Sequence, residues 1–429
     1  MNTKKLLRNL ETFDPELWET LRSSLVRQLT TLSLIPTTNA ASPFASYLKG
    51  STLGNDFLDH HAAERYSKLE KMAAERARAL FQAEHAIVRT GNPTAASRVV
   101  LLALAKAGDT ILSFNLRKQE HCTGREMQYH FVKFSLEPDT LRLDFEKVRK
   151  LAQQTKPGLI IYSPVNYPYN IDYRELRRIA DETGAYLWVD LGQNSGLVAA
   201  DKIDSPVPYA DVVTFAASDA LHGPQSGIIL SKGKLASLLD QAVINTGHVS
   251  LKKNVLAALS IAFKEAVCEE YQDYAEQVLC NARALETGLR DAGGELLCSP
   301  TENHLVLLRL PEDQDGELVA EKLAAAGLLV KPEHLMTSDD RISYPILRLS
   351  SLDATTRSLG EREMRKVGNT LMTFLRSPQD EREIKAVGKV VRKMVENLPL
   401  FSEDWLPELE YAQDEDTDIM MNALIHGYA

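Results

Sequence analysis

Between residues 84 and 230, short β-branched runs alternate with stretches of helix formers, and no other property of the chain restricts its fold so tightly. The runs are EHAIV (84–88), TILSF (110–114), GLIIY (158–162), YLWVD (186–190), DVVTF (211–215) and SGIIL (226–230). Stretches 144–154 and 173–183 between them carry apolar residues at helical spacing. Strands separated by helices are joined by crossovers, not hairpins, so they line up in parallel. Runs as apolar as LIIY suit a sheet covered on both faces. The pattern predicts an α/β fold built on a mostly parallel sheet.

The flanking segments extend this core. Residues 62–81 have the spacing and composition of a helix, and 252–292 form a long amphipathic stretch that stops at Gly293-Gly294. HLVLLRL (304–310), GLLV (327–330) and PILRLS (345–350) predict strands of a smaller α/β domain. A charged helix follows residue 377, then LPLF and an acidic run at 414–418, which suits a surface tail with a short terminal helix. The division expected is a helical arm (1–50), a large α/β domain (51–292), a small α/β domain (293–376) and a C-terminal helix with its tail (377–429).

Charge removes several function classes. The formal net charge of −10 argues against nucleic acid or an anionic membrane as partner, because both need a basic surface. No apolar run reaches the length of a membrane span. The start, MNTKKLLRNLETFDPELWE, lacks an apolar signal core, so a cytoplasmic protein is expected. Cys122, Cys268, Cys280 and Cys298 form no CxxC pair and show no metal-ligand spacing, as in a reducing compartment.

Several strings go further. They are ERARALF (75–81), AGDTIL (107–112), IADETGAYLWVD (179–190), GLVAA (196–200), PVPYADVVT (206–214), KEA (264–266) and NHL (303–305). Their order and wording resemble serine hydroxymethyltransferase, a member of the pyridoxal phosphate (PLP) fold-type-I group typified by aspartate aminotransferase. The resemblance covers roughly residues 30 to 375. It implies a large domain with a seven-stranded-type sheet, a smaller C-terminal domain and a homodimer with a shared cleft. It also implies PLP held as a Schiff base on a lysine.

At that lysine the resemblance breaks. The family reads T-T-T-H-K-T-L-x-G-P-x-G-G after the strand ending in VVT. Here the stretch is FAASDALHGPQSG (215–227), which aligns without a gap through Gly223-Pro224. The imine-forming lysine falls on Asp219 and the histidine before it on Ser218. A carboxylate cannot form the imine. Its charge also opposes a phosphorylated cofactor, by about 4 kcal/mol for unit charges ~4 Å apart at an effective dielectric of ~20.

Other positions divide between kept and lost. The resemblance makes Thr90-Gly91, at a strand-to-helix turn ending in Asn92-Pro93, the phosphate cradle. It makes His121 the group stacked on the cofactor ring, Asp190 the partner of the pyridinium nitrogen, and Arg348 the substrate-carboxylate anchor. Asp59 falls on the folate-side glutamate and Tyr66 on an entrance tyrosine, but Ser67 replaces the next tyrosine. His248-Val249-Ser250 replaces a Gln-Gly-Gly that reaches the neighbouring subunit's cofactor, Gln193 replaces a histidine, and Thr37-Thr38 replaces a Ser-Glu pair.

Each residue also has a plainer role open to it. Asp219 suits acid/base work opposite Asp190 or a local backbone cap, and either His222 or Asp219 is the candidate base of a lysine-independent enzyme. Thr90-Gly91 suits an anion or an ordinary turn, and Arg348 a ligand carboxylate or a structural ion pair. His121, His222, Asp190 and Asp219 are types that bind Zn or Mn, but they lack a spacing signature, so no metal is expected. Lys252 and Lys253 suit a helix start better than a displaced imine. The function expected is a non-catalytic binding or assembly homologue, without Schiff-base PLP catalysis or folate-dependent one-carbon transfer. The alternative is a repurposed enzyme acting on an amino-acid-derived small molecule, with non-covalent PLP or pyridoxamine phosphate or with no cofactor.

Overall fold

The computed structural model describes residues 9–55, 68–114, 129–248, 251–337, 342–378 and 380–408. His121, Asp59 and Tyr66 lie outside these residues, as does the acidic run at 414–418. After a short strand β1 (Leu32–Ser33), the chain enters its large sheet. The strands of that sheet are β2 (His85–Thr90), β3 (Thr110–Phe114), β4 (His130–Phe134), β5 (Leu159–Tyr162), β6 (Tyr186–Asp190), β7 (Val212–Ala216) and β8 (Gly227–Ser231). Their spatial order is β2-β8-β7-β6-β5-β3-β4. The central pairs are parallel, and β8 runs against both of its neighbours, β2 and β7.

All six runs anticipated from sequence are strands of this sheet, and the seventh, β4, is an addition. Its sequence, HFVKF, hides it: it lies at an edge, and His130 and Lys133 are exposed. An edge strand needs no continuous apolar run, and a charge there discourages further pairing. By contrast, every residue of β5, β7 and β8 is buried.

Local chemistry sets the helices. Asn92 caps helix Pro93–Leu104 by accepting from the Ala95 N–H, with proline in the first turn. Asp144 and Asp172 cap Phe145–Thr155 and Tyr173–Thr183 in the same way. One face of the sheet is sealed by a cluster that includes Val99, Trp188 and Leu239. The other face is sealed by a larger cluster containing Phe81, Phe215 and Phe263. The long amphipathic stretch is two helices, Lys253–Glu265 and Glu269–Asp291, because Cys268 between them is extended.

A second sheet is antiparallel, in the order β12-β13-β10-β9, from β9 (Leu296–Leu297), β10 (Leu305–Arg309), β12 (Lys331–Met336) and β13 (Ser343–Ser350). The predicted run at 327–330 is not part of it. That run becomes β11 (Leu328–Leu329), which pairs in parallel with β1. The charged helix after residue 377 is Glu381–Val395.

Candidate functional site

Thr90, Tyr162 and Asp190 are the last residues of β2, β5 and β6, and Asp219 follows the end of β7. These strands run in the same direction, so their carboxyl ends open on one edge of the sheet, where α/β folds place ligands. Strand β8 closes that edge beside β2: Thr90 pairs with Gly227, and the Thr90 hydroxyl donates to the Gly227 carbonyl at 2.5 Å. A Cβ on Gly227 would sit 2.5 Å from the Asn92 carbonyl oxygen, so the close approach of β8 to the helix start requires glycine.

The loop carrying Asp219 is tightly held. Gly223 N–H donates to the Ala217 carbonyl, Tyr271 Oη donates to the Ala220 carbonyl, and Asn39 Nδ2 donates to the Asp219 carbonyl. The half-buried Asp219 carboxylate accepts from the Ser218 hydroxyl at 3.2 Å, and no described backbone N–H donates to it. Burial pushes its pKa up to about 7; the Ser218 hydrogen bond and the Arg348 charge work against that rise, and the Asp190 charge adds to it. Asp219, Asp190 and Arg348 therefore share one electrostatic environment. Asp190 accepts from Gly192 N–H at 3.2 Å and faces Ser163 Oγ at 3.5 Å.

Arg348 enters from the second sheet and is 2% exposed. Its Nη1 donates to the Val165 carbonyl at 3.1 Å and to Asn166 Oδ1 at 2.6 Å, while Nη2 lies 3.4 Å from Glu333 Oε1. Arg348 is thus ion-paired with Glu333 and hydrogen-bonded to Val165 and Asn166. Asn166 and Glu333 at Arg348, and Ser163 at Asp190, escape sequence reasoning, because no motif marks them and only the tertiary fold brings them to these partners.

His222 lies apart from this group. Its ring is enclosed by Tyr271, Tyr274 and Phe401, with centroids 6.0, 4.5 and 4.9 Å away. Neither ring nitrogen has a hydrogen-bond partner among the described residues, and burial pushes its pKa down to about 3. Lys252 is exposed at the start of its helix, and the neighbouring Leu251 packs near Gly91. Among the described residues no group of three or more His, Cys, Asp or Glu side chains is placed to hold a metal. No described helix is long and apolar enough to cross a membrane.

A seven-stranded sheet with a single reversed strand, helices on both faces and a second antiparallel sheet carrying a buried arginine define a protein of the PLP fold-type-I class. The serine hydroxymethyltransferase family profile matches residues 10–371. The chain is 32% identical over 408 residues to the serine hydroxymethyltransferase of Nitrosospira multiformis, an alignment covering 91% of this chain and 98% of that one. To the serine hydroxymethyltransferase of a Psychrobacter species it is 32% identical over 410 residues, covering 92% and 98%. The chain belongs to the serine hydroxymethyltransferase family.

Proposed function

We propose that this family member has lost the imine-forming lysine, with Asp219 in its place, and serves as a binding or assembly homologue. On this reading it performs neither Schiff-base PLP catalysis nor folate-dependent one-carbon transfer. The observation that carries the reading is the Asp219 carboxylate itself, held by a pinned loop within electrostatic reach of Asp190 and Arg348. Only an amine can supply an imine at that point.

The neighbouring residues fit the cofactor poorly as well. The Thr90 hydroxyl is already donating to the Gly227 carbonyl, and Asn92 is committed to capping its own helix. The side-chain groups at this turn are thus already engaged within the fold. Cytoplasmic location, inferred from the N-terminal sequence and the cysteines, the division at residues 50, 292 and 376, inferred from the pattern of elements, and a homodimer, implied by the family resemblance, belong to the same reading.

A second reading is favoured by one observation. A carboxyl with a pKa of about 7 is poised to give and take protons at neutral pH. In a repurposed enzyme, Asp219 would hold a proton at its carboxyl oxygen beside Asp190, and Arg348 would orient the ligand.

The test is a PLP titration of protein purified without added cofactor, followed by visible absorbance before and after borohydride. Absence of an imine band and of a borohydride-fixed adduct is expected. A fixed adduct would overturn the first reading, and its mapped lysine, with Lys252 and Lys253 examined first, would name the replacement. If PLP binds without an adduct and Asp190→Asn abolishes that binding, the repurposed enzyme is favoured.

A further inference from the structure

After helix Glu381–Val395 the described chain continues through 396–408, beyond residue 371, where the match to the family profile ends. Within that segment the single regular element is the short turn Glu403–Trp405, and Ser402 is the single buried residue. The segment nevertheless lies across some of the most enclosed side chains of the protein. His222, Tyr274, Thr356 and Arg357 are each at most 3% exposed. Hydrogen bonds fasten the segment there. Ser402 N–H donates to the Thr356 carbonyl at 2.8 Å, Trp405 Nε1 to the Thr355 carbonyl at 2.8 Å, and Arg357 Nε to the Pro399 carbonyl at 3.2 Å. The exposed Asp404 accepts from the Ser358 and Ser402 hydroxyls at 2.6 and 2.7 Å.

Two lines of contact run from this segment to the loop that carries Asp219. One is direct: the Phe401 ring stands edge-on to the His222 ring, with centroids 4.9 Å apart, and His222 belongs to that loop. Trp405 supports it from the side, 5.7 Å from Tyr274, whose own ring lies 4.5 Å from the imidazole. The other line is a chain of hydrogen bonds. Ser402 N–H holds the Thr356 carbonyl, the Thr356 hydroxyl donates to Asn39 Oδ1 at 2.7 Å, and Asn39 Nδ2 donates to the Asp219 carbonyl at 3.0 Å. Asn39 Nδ2 also donates to Tyr274 Oη at 3.2 Å, so the two lines are joined.

Burial is unequal on the two sides of this contact. A segment that buries so little of itself opens at a lower free energy than the sheet and helices beneath it. What it covers depends on it: neither ring nitrogen of His222 has a partner among the described residues, and Phe401 helps keep water from them. We infer that residues 399–405 are a strap whose docking clamps the Asp219 loop, so that its release frees that loop and regulates the candidate site. The regulatory meaning rests on the reading that the cleft beside Asp219 is that site; the mechanical coupling stands on the contacts alone.

The experiment is hydrogen exchange read by mass spectrometry on the full chain, comparing wild type with Phe401→Ala and with Asp404→Ala. Peptides covering 217–223 report the loop, and peptides covering 159–162, a central strand of the large sheet, report global opening. Phe401→Ala should speed exchange of the loop amides roughly 5–30-fold and leave 159–162 unchanged. Exchange of the His222 ring C2 proton should quicken with it, because water then reaches a ring that the strap had sealed. Asp404→Ala changes an exposed residue outside the core, so it keeps the protein folded should Phe401→Ala not, and it should act in the same direction by a smaller factor. A rise confined to the loop in either variant upholds the inference. Wild-type exchange at 217–223 in both variants, or a rise shared equally with 159–162, would overturn it. The measurement needs no ligand, so a borohydride-fixed PLP adduct would sink the functional reading and leave the strap untouched, and the two failures are distinguishable.

Discussion

Replacing Asp219→Asn keeps the side chain's shape and removes its titration, which makes the cost of that carboxylate measurable. In an unfolded chain an aspartate titrates near ~4. In the fold, burial pushes Asp219 up to about 7. Between those values the native protein holds a proton that the unfolded chain has released. Stability therefore falls as pH rises from ~4, and the loss is complete above the folded pKa. A shift of ~3 units corresponds to about 4 kcal/mol. The Asp219→Asn protein is free of this loss. It should match wild type near pH 4, apart from a constant offset, and gain on it progressively up to pH 8. Unfolding entropy scales at ~2 cal/mol/K per residue, so for a chain of this size about 4 kcal/mol raises Tm by roughly 4 °C. Glu265, pushed up to about 7 by burial, and Asp353, pushed up to about 6, tilt both proteins alike, so the difference between variant and wild type isolates Asp219. The assay is a series of thermal melts from pH 4 to 8.5. A difference that stays flat across that range would refute the claim that Asp219 sits in a desolvated, acid-shared site.

Three further outcomes are expected. If residue 219 is where the proposed imine was lost, Asp219→Lys, which places an amine just after β7, should yield a borohydride-fixed PLP adduct at that residue; failure to form one would count against that proposal. Gly227→Ala drives a methyl to 2.5 Å from the Asn92 carbonyl oxygen and should cost about 1–3 kcal/mol in urea unfolding, since β8 has no room to retreat. His222, pushed down to about 3, stays neutral while the unfolded chain takes up a proton, so wild type loses stability as pH falls from ~6.5 towards 3. His222→Asn, which tolerates the residue's φ of 56°, should flatten that part of the pH–stability curve whatever its effect on absolute stability.

Much of the large sheet could be read in advance because burial on both faces writes itself into composition. β5, β7 and β8 are apolar throughout, and their runs stand out against the capped helices between them. β4 stayed hidden because an edge strand needs only intermittent apolar residues. The run at 327–330 could be recognised as a strand but not assigned to a sheet, because its partner β1 lies almost three hundred residues earlier. That residue 219 cannot itself form an imine needed no structure, since a carboxylate cannot do an amine's task. The two candidate bases, Asp219 and His222, are placed differently by the fold. The two are three residues apart, yet one side chain shares an electrostatic environment with Asp190 and the other is enclosed by aromatic rings.

By itself, then, the sequence determined the alternating α/β order, the family and the type of group present at each candidate position. These depend on local periodicity and on side-chain chemistry, both carried by the order of residues. The tertiary structure alone decided what each group meets. Burial raises the Asp219 pKa, and a diagonal register across β12 and β13 brings Glu333 to Arg348. Asn166 reaches the same arginine from the large sheet. Those properties depend on distance and desolvation between residues far apart in the chain, and only packing sets either of them.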